Sequence, residues 1–385
     1  MKVITTENKP IKMWLDDIED SALEQAKNLA NLPFIYRHVA LMPDCHMGYG
    51  MPIGGVIATN GVVIPNAVGV DIGCGMVAQK TSIKDISTKH VKEWMGEVRR
   101  LVPVGFNHRE SMCAAEFMPD MEETALDVVA KEYNSARTQL GTLGGGNHFI
   151  ELQKDNDGYL WVMIHSGSRN LGYKVAKHYN DMAKEYNKRW FSSVPKDHDL
   201  AFLPIDTMEA SMYLAEMEYC LEFARLNRRE MMMYCTEVLE DMFDDLDMGK
   251  PINIYHNYAA MENHGDNVMV HRKGATRARK GELGIIPGSQ GTKSYIVRGL
   301  GNKASFESCS HGAGRRMGRK QAKRELNLDE QKRLLDDQGI IHGIRTENEL
   351  DEAPGAYKDI QTVMDNQKDL VEIVTELTPI AVIKG

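Results

Sequence analysis

Three short apolar runs in this chain each stop at a residue able to do chemistry, and that pattern constrains the fold more than any other feature. Residues 54–76 read GGVIATNGVVIPNAVGVDIGCGM, β-branched runs broken by glycine that arrive at Asp71. Such a pattern suits buried strands and tight turns. Residues 160–164 (LWVMI) run into His165, and residues 251–255 (PINIY) run into His256. Strand ends that converge on one point are where α/β proteins build their sites. Between these runs, residues 16–30, 89–101, 122–140 and 208–243 are amphipathic and read as helices. In the last of them Met231, Met232 and Met233 read as core filler or a packing face. The expected fold class is mixed α/β (α+β).

At about 150 residues per domain, a chain of 385 residues would hold two or three domains. No repeat, low-complexity tract or Pro- and Ser-rich linker divides it, so one large domain over 1–385 is expected instead. Apolar residues are 42% and charged residues 26%, both ordinary for a globular protein. No apolar run is long enough to span a membrane. The segment MKVITTENKPIKMW lacks the apolar core of a secretory signal. Six cysteines do not make a disulfide framework, so the expected compartment is a reducing cytoplasm. The net charge of -9, taken whole, argues against a nucleic-acid partner.

Asp71 and Cys74 form an Asp-x-x-Cys pair in a glycine-flanked turn, which lets both side chains face one ion. Thiolate beside carboxylate suits a borderline metal such as Zn or Mn. A buried free cysteine in a turn is the plainer reading of that pair alone. His148 follows the run Gly144-Gly145-Gly146-Asn147, His165 begins HSGSR, and His256 lies in YHN. Any one strand-end histidine is more often structural than a ligand. Three of them with the Asp-x-x-Cys turn make a one- or two-metal site plausible.

No GxxxxGK[ST] loop is present, so a P-loop NTPase is not expected. His311 lies among small residues in SCSHGAGR, with a basic, helix-like stretch after it. Small neighbours leave room for a bulky ligand, and a helix N-terminus beside the imidazole would attract phosphate. A capping histidine in a Gly-rich turn explains the same residues. PGSQGT at 287–292 is a second small-residue loop with hydroxyls and N–H groups suited to phosphate, or an ordinary turn. From Asp266 to Arg324 there are 14 Lys or Arg against three acids, a local +11 that leaves -20 on the rest. Around a phosphate-binding loop, that excess points to a polyanionic substrate such as RNA; a solvated basic face is the plain alternative.

Taken together, these residues resemble the RtcB family of RNA ligases. The motifs run in the family's order: PDCHMGYGMPIGG at 43–55, GVDIGCG at 69–75, GGGNHFIE at 144–151, HSGSR at 165–169, HN at 256–257, PGSQGTKS at 287–294, SHGAGR at 310–315, EAPGAYK at 352–358 and a final KG. The resemblance implies an RtcB-type fold around a central metal-containing cleft. It implies two Mn²⁺ held by Asp71, Cys74, His148, His165 and His256, with Cys74 bridging and Zn²⁺ or another divalent ion able to take the place in purified protein. It implies GTP as co-substrate and His311 as the nucleophile that carries GMP. Asn147, Glu151, His256, Asn257, Pro287, Gly288, Ser289, Ser294, Gly312, Ala313, Gly314, Tyr357 and Lys384 match positions around the guanylate, and Arg169 matches one near the RNA phosphate. The implied reaction opens a 2′,3′-cyclic phosphate and joins the 3′-phosphate to a 5′-hydroxyl, in tRNA splicing or RNA repair.

Two departures stand out. Cys45 occupies PDCH where valine is more usual, as a packing variant or, if exposed, a redox-sensitive thiol. The chain is also compact for the family. Two other functions stay open. A metal-dependent cyclic phosphodiesterase would need the metals but not His311. An RNA-binding accessory protein, associated with a release factor, would fit a degraded ligand set. An RNA substrate, an archease-type activator and a monomeric, membrane-free protein complete the expectations.

Overall fold

In the structure, a computed structural model that describes residues 1–121 and 126–385, two large sheets meet at one corner. The first has six strands in the order Lys2–Ile4, Ile11–Met13, Ile35–His46, Ile53–Thr59, Asn267–Lys273 and Asn257–Asn263. The second has seven: Ile252–Tyr255, Gly75–Lys80, Leu160–Ser166, Phe149–Asp155, Val371–Lys384, Ser294–Gly299 and Leu283–Ile286. All neighbours in the two large sheets are antiparallel except the Ile11–Met13 and Ile35–His46 pair. The mixed α/β expectation is therefore met by sheets that are largely antiparallel.

The strand Ile252–Tyr255 is the edge of one sheet and Asn257–Asn263 the edge of the other, with His256 alone between them. The expectation of strand ends meeting at a point is realised at this corner. It does not lie along the carboxyl ends of parallel strands.

Both faces of the six-stranded sheet are covered, which explains why Ile35–His46 reads as a nearly continuous apolar run. Val39 and Leu41 pack with Ile57 and with Ala26 and Leu29 of the helix Asp20–Ala30. Ala40 and Met42 face the other way, onto Phe306, Cys309 and Tyr295. One face of the seven-stranded sheet is closed by the helix Thr88–Leu101, whose Trp94 and Val98 meet Val162 and Ile164.

The helix Met208–Glu240 runs 33 residues, about 50 Å at 1.5 Å per residue. Thr207 starts it by accepting a hydrogen bond from the Ala210 N–H. Met231 and Met232 are core residues, as expected, whereas Met233 is exposed. The 89–101 stretch is helical throughout, within Thr88–Leu101, whereas two other helices are shorter than their amphipathic stretches. The 16–30 stretch becomes helical at Asp20, and the 122–140 stretch holds the helix Asp127–Arg137, with 122–125 outside the described residues. Cys45 is buried in the core around Leu41 and Ile57, which bears out its reading as a packing residue. Among the described residues, no helix is long and apolar enough to cross a membrane.

One buried ion pair ties the six-stranded sheet to the segment that leads into His311. Arg272 is fully buried and bonds both carboxylate oxygens of Glu262, at 2.5 and 3.1 Å. It also donates to Tyr258 Oη, Ser308 Oγ and Phe306 O. Burial alone would raise the Glu262 carboxyl, but Arg272 holds it down to about 2. Replacing Arg272 with Met leaves a buried carboxylate unpaired and should cost about 3–5 kcal/mol in urea unfolding. Because the folded pKa is depressed, the pair's contribution is present above about 4.5 and is lost as pH falls toward 2. The stability gap between wild type and Arg272→Met should close over that window.

Candidate metal centre

At the corner between the sheets, five Lewis bases form an unbroken chain. Asp71 Oδ2 lies 3.1 Å from His148 Nε2, which lies 3.5 Å from Cys74 Sγ. Cys74 Sγ lies 3.3 Å from His165 Nε2, which lies 3.4 Å from His256 Nε2. Cys74 thus stands in the middle, with Asp71 and His148 on one side and His165 and His256 on the other. All five residues singled out as ligands are brought together, and Cys74, His148 and His165 satisfy the geometry of a common ion within 4.8 Å of one another.

The backbone decides which nitrogen each imidazole presents. His148 Nδ1 is 2.9 Å from Leu143 O, and His165 Nδ1 is 3.1 Å from Asn147 O. A carbonyl only accepts, so each Nδ1 carries the hydrogen and each Nε2 turns a lone pair toward the sulfur. Carbonyls that hold a ligating histidine this way are the usual outer shell of a metal site. Burial, followed by the neighbouring histidines, holds His165 and His256 well below the ordinary imidazole value, so both are neutral lone-pair donors. Burial and the Asp71 carboxylate push the Cys74 thiol well above its usual value. The cluster therefore has an excess of acceptors facing one another, and a divalent cation among them would relieve it. The donor set fits such an ion: imidazole, thiolate and carboxylate together suit Zn or Mn.

Two residues of the long helix fix this geometry. Arg228 is fully buried and its Nη1 donates to Gly73 O and Ser166 O, both at 2.9 Å, while Nε reaches Asn253 Oδ1 at 2.9 Å. It ties the Asp71–Cys74 turn to the strands that carry His165 and His256. Asn227 accepts from the Gly141 and Thr142 N–H groups and donates to Gly167 O, which anchors the glycine-rich run before His148. The turn itself depends on Gly73, at φ +75, and on Gly167, where a Cβ would stand 2.3 Å from Asp71 Oδ1. In sequence, Asn227 and Arg228 are two polar positions of an amphipathic helix, and nothing local marks them.

His311 joins the cluster. Its ring centroid is 4.8 Å from that of His256, and its Nδ1 is 2.6 Å from Asp44 Oδ2. The same carboxylate oxygen accepts from the His311 and Gly312 N–H groups at 3.0 and 3.3 Å. Asp44 is wholly buried on the strand Ile35–His46. With Nδ1–H donated to Asp44, His311 keeps a free lone pair on Nε2. Asp44 was visible in the PDCH motif, but no sequence signal gave it this role.

Expectations drawn around His311 need three corrections. Among the described residues no helix N-terminus adjoins it: the helix Arg319–Glu325 begins eight residues later. Among the described residues the Ala313 and Gly314 N–H groups have no internal partner, so the loop itself is what can face a phosphate. The 287–292 loop is occupied by its own hydroxyls. Gly288 N–H donates to Ser294 Oγ at 3.1 Å and Ser289 N–H to Thr292 Oγ1 at 2.7 Å, while Pro287 packs against Gly312. The +11 segment is mostly neutralised by acids that the chain brings from elsewhere. Ten of its 14 cations make ion pairs, and Glu262, Glu325, Asp351, Glu352, Glu372 and Glu376 lie outside the segment.

The other sequence candidates fall in two places. Asn257 is a brace: its Nδ2 donates to Asp71 O at 3.1 Å and its Oδ1 accepts from Gly274 N–H at 2.8 Å. Arg169, with a left-handed φ of 59, lays its guanidinium over Gly144 beside His148, bonded to Thr142 Oγ1 and Gly105 O. Glu151 is buried, bonded to Gln153 at 2.6 Å, and burial pushes its carboxyl up to about 8. Gln153 also reaches Ser294 Oγ at 3.1 Å. Glu352 gathers Tyr357 Oη, Lys384 at 3.5 Å, Arg315 at 3.1 Å and Arg319 at 3.0 Å. Lys384 also feels Glu151, so the final strand links these two groups. Glu352 lies in the quoted EAPGAYK motif but was not singled out as a site residue.

Loading with Co²⁺ should give a thiolate-to-metal charge-transfer absorption that Cys74→Ala lacks, and a higher Tm than the metal-free protein. An unchanged spectrum in Cys74→Ala would remove the sulfur from the ligand set. Binding should weaken as pH falls, because the Cys74 thiol, held well above its usual value, must shed its proton to bind the ion, while His165 and His256 are already neutral.

The family profile described as tRNA-splicing ligase RtcB matches residues 25–125 and 113–385. The chain is 38% identical over 413 aligned residues to the RNA-splicing ligase RtcB of Escherichia coli (strain K12), covering 100% of this chain and 99% of that protein. It is 32% identical over 442 residues to the tRNA-splicing ligase RtcB of Thermococcus kodakarensis, covering 95% and 92%, and 32% identical over 447 residues to that of Archaeoglobus fulgidus, covering 96% and 92%. With five lone-pair donors meeting beside a carboxylate-held histidine, and likeness along nearly its whole length, the chain belongs to the RtcB family.

Proposed function

We propose that this protein is a GTP-dependent RNA ligase that joins a 3′-phosphate, or a 2′,3′-cyclic phosphate once opened, to a 5′-hydroxyl. The observation that carries this reading is His311, held at Nδ1 by a buried carboxylate and set against the metal centre. Asp44 fixes the tautomer, so Nε2 is the nucleophile. Nε2 attacks the α-phosphorus of GTP, the N–P bond forms, and pyrophosphate leaves with the electron pair. An oxygen of the RNA 3′-phosphate then takes the GMP and the N–P bond breaks. The 5′-hydroxyl of the second strand attacks that activated phosphate, loses its proton and expels GMP.

Asp71, Cys74, His148, His165 and His256 would hold two Mn²⁺ with Cys74 between them, or Zn²⁺ in their place. When bound, such ions would supply positive charge to the phosphates, and these five residues would hold them beside His311. Glu151, as an acceptor, and Lys384, as a donor, match the donors and O6 of a guanine edge, with Asn147, Ser289, Ser294 and Tyr357 around them. The free N–H groups of Ala313 and Gly314 suit its phosphate, and Arg169 suits the RNA phosphate. One catalytic domain spanning the chain accommodates all of these, since they come from positions 44 to 384. The reading places no demand on an archease-type activator, on oligomeric state or on compartment beyond access to RNA.

Incubation with divalent metal and α-labelled GTP should leave an acid-labile label on the protein, and His311→Ala should carry none. A folded, metal-loaded wild type that takes no label contradicts the proposal. If His311→Ala opens cyclic phosphates and retains full activity on its RNA, the protein is a phosphodiesterase instead. Asp44→Ala, which removes the acceptor that sets the tautomer, should slow guanylylation about 10²- to 10⁴-fold while leaving metal binding intact.

A further inference from the structure

One cavity away from the metal centre has cationic walls with no acid opposite two of them. It encloses about 360 Å³ and is lined by Pro10, Lys12, Arg37, His38, Lys303 and Ala304. Lys12 is half-exposed on a strand whose Ile11 and Met13 are buried. Among the described residues, Lys12 and Arg37 make no ion pair, and Lys303 pairs only with Glu307, at 2.7 Å. Arg37 sits within a strand yet has a left-handed φ of 58, and its guanidinium lies 4.8 Å over the Tyr36 ring. The left-handed φ falls in the register shift between Ile35 and Val39, an irregularity of the kind that re-aims a side chain at a strand end.

His38 fastens the two walls together. Its ring stacks on Phe306 at 4.4 Å and 13°, and its Nε2 lies 2.7 Å from Ala304 O. The carbonyl accepts, so the strand Ile35–His46 holds the turn Lys303–Ser305 by that bond. The same two segments meet again at the metal centre, where Asp44 holds His311. His38 and Asp44 are six residues apart, about 20 Å of extended strand. At about 3.4 Å per nucleotide, the rise of one stacked DNA strand taken as the scale for a stacked RNA strand, about six nucleotides cover that span.

We propose that this cavity is a second anchor for the RNA strand whose end reacts at His311, with Lys12, Arg37 and Lys303 on backbone phosphates about six nucleotides from that end. The assignment rests on the ligase reading. It also places two of the three RNA contacts, Lys12 and Arg37, outside the 266–324 segment, whose cations are largely paired.

The test measures binding of single-stranded RNA 3′-phosphates of about twelve and about three nucleotides as salt is varied. The variant is Lys12→Gln with Arg37→Asn, since asparagine tolerates a left-handed backbone. For the long strand, the slope of log K against log salt should shrink by about 1.4, two contacts at about 0.7 each on single strands. Binding of the short strand and labelling by GTP should not change. Equal slopes for wild type and variant on the long strand overturn the proposal. So does an equal loss on both lengths, which means a general field and not a docked strand. Lys12→Gln alone, at an outward-facing position, should lower the slope by about 0.7 and keeps the test decisive if the double variant melts early. If the wild type takes no GMP, the ligase reading fails, while the difference in salt slopes still decides whether the cavity holds RNA.

Discussion

Lone pairs that face one another at 3.1 to 3.5 Å, with no room for water between them, are the constraint on which the rest of this structure depends. Five potential metal donors from four separate parts of the chain are held in contact, with more lone pairs than protons to share among them, an excess that a cation would relieve. Packing must therefore force them together. It does so through backbone carbonyls that lock two imidazole tautomers, and through Arg228, which binds the carbonyls of Gly73 and Ser166 at once. Arg228 adds a buried positive charge beside Cys74 and Asp71, and although burial lowers its pKa to about 10, it stays protonated at neutral pH.

The two-sheet architecture follows from this demand. His256 can occupy a corner only because one residue joins the edges of two sheets. The nucleophile approaches from the six-stranded side, where Asp44 belongs to a strand buried on both faces. Its Oδ2 finds donors internally, in His311 and Gly312, while its Oδ1 is buried without a partner. A carboxylate in that setting is an acceptor of fixed position, which is what a histidine needs if one nitrogen is to stay free. Arg272 and Glu262 brace the same segment from behind.

Much of this was legible in the sequence because the ligands sit in local patterns: an Asp-x-x-Cys turn, a histidine after a glycine run, and histidines at the ends of apolar strands. The elements were legible too, since 160–164 and 251–255 lie within or beside real strands and 208–243 contains the long helix. What stayed hidden was non-local. Asn227 and Arg228 look like the polar face of a helix until the fold turns them inward. Asp44 and Glu352 acquire partners more than 200 residues and about 30 residues away, respectively. The charge segment misled for the same reason, because summing residues 266–324 ignores the acids that folding brings to them. The cations left without such partners at the cavity, Lys12 and Arg37, stand far outside that segment in the chain.

Anomalous scattering from crystals of the protein loaded with Mn²⁺ tests the metal centre most directly. Two peaks are expected on either side of Cys74 Sγ, one with Asp71 and His148 and one with His165 and His256, each within coordination distance of its donors. A peak elsewhere, or no peak at a manganese concentration that supports guanylylation, would contradict the assignment of these five residues as ligands.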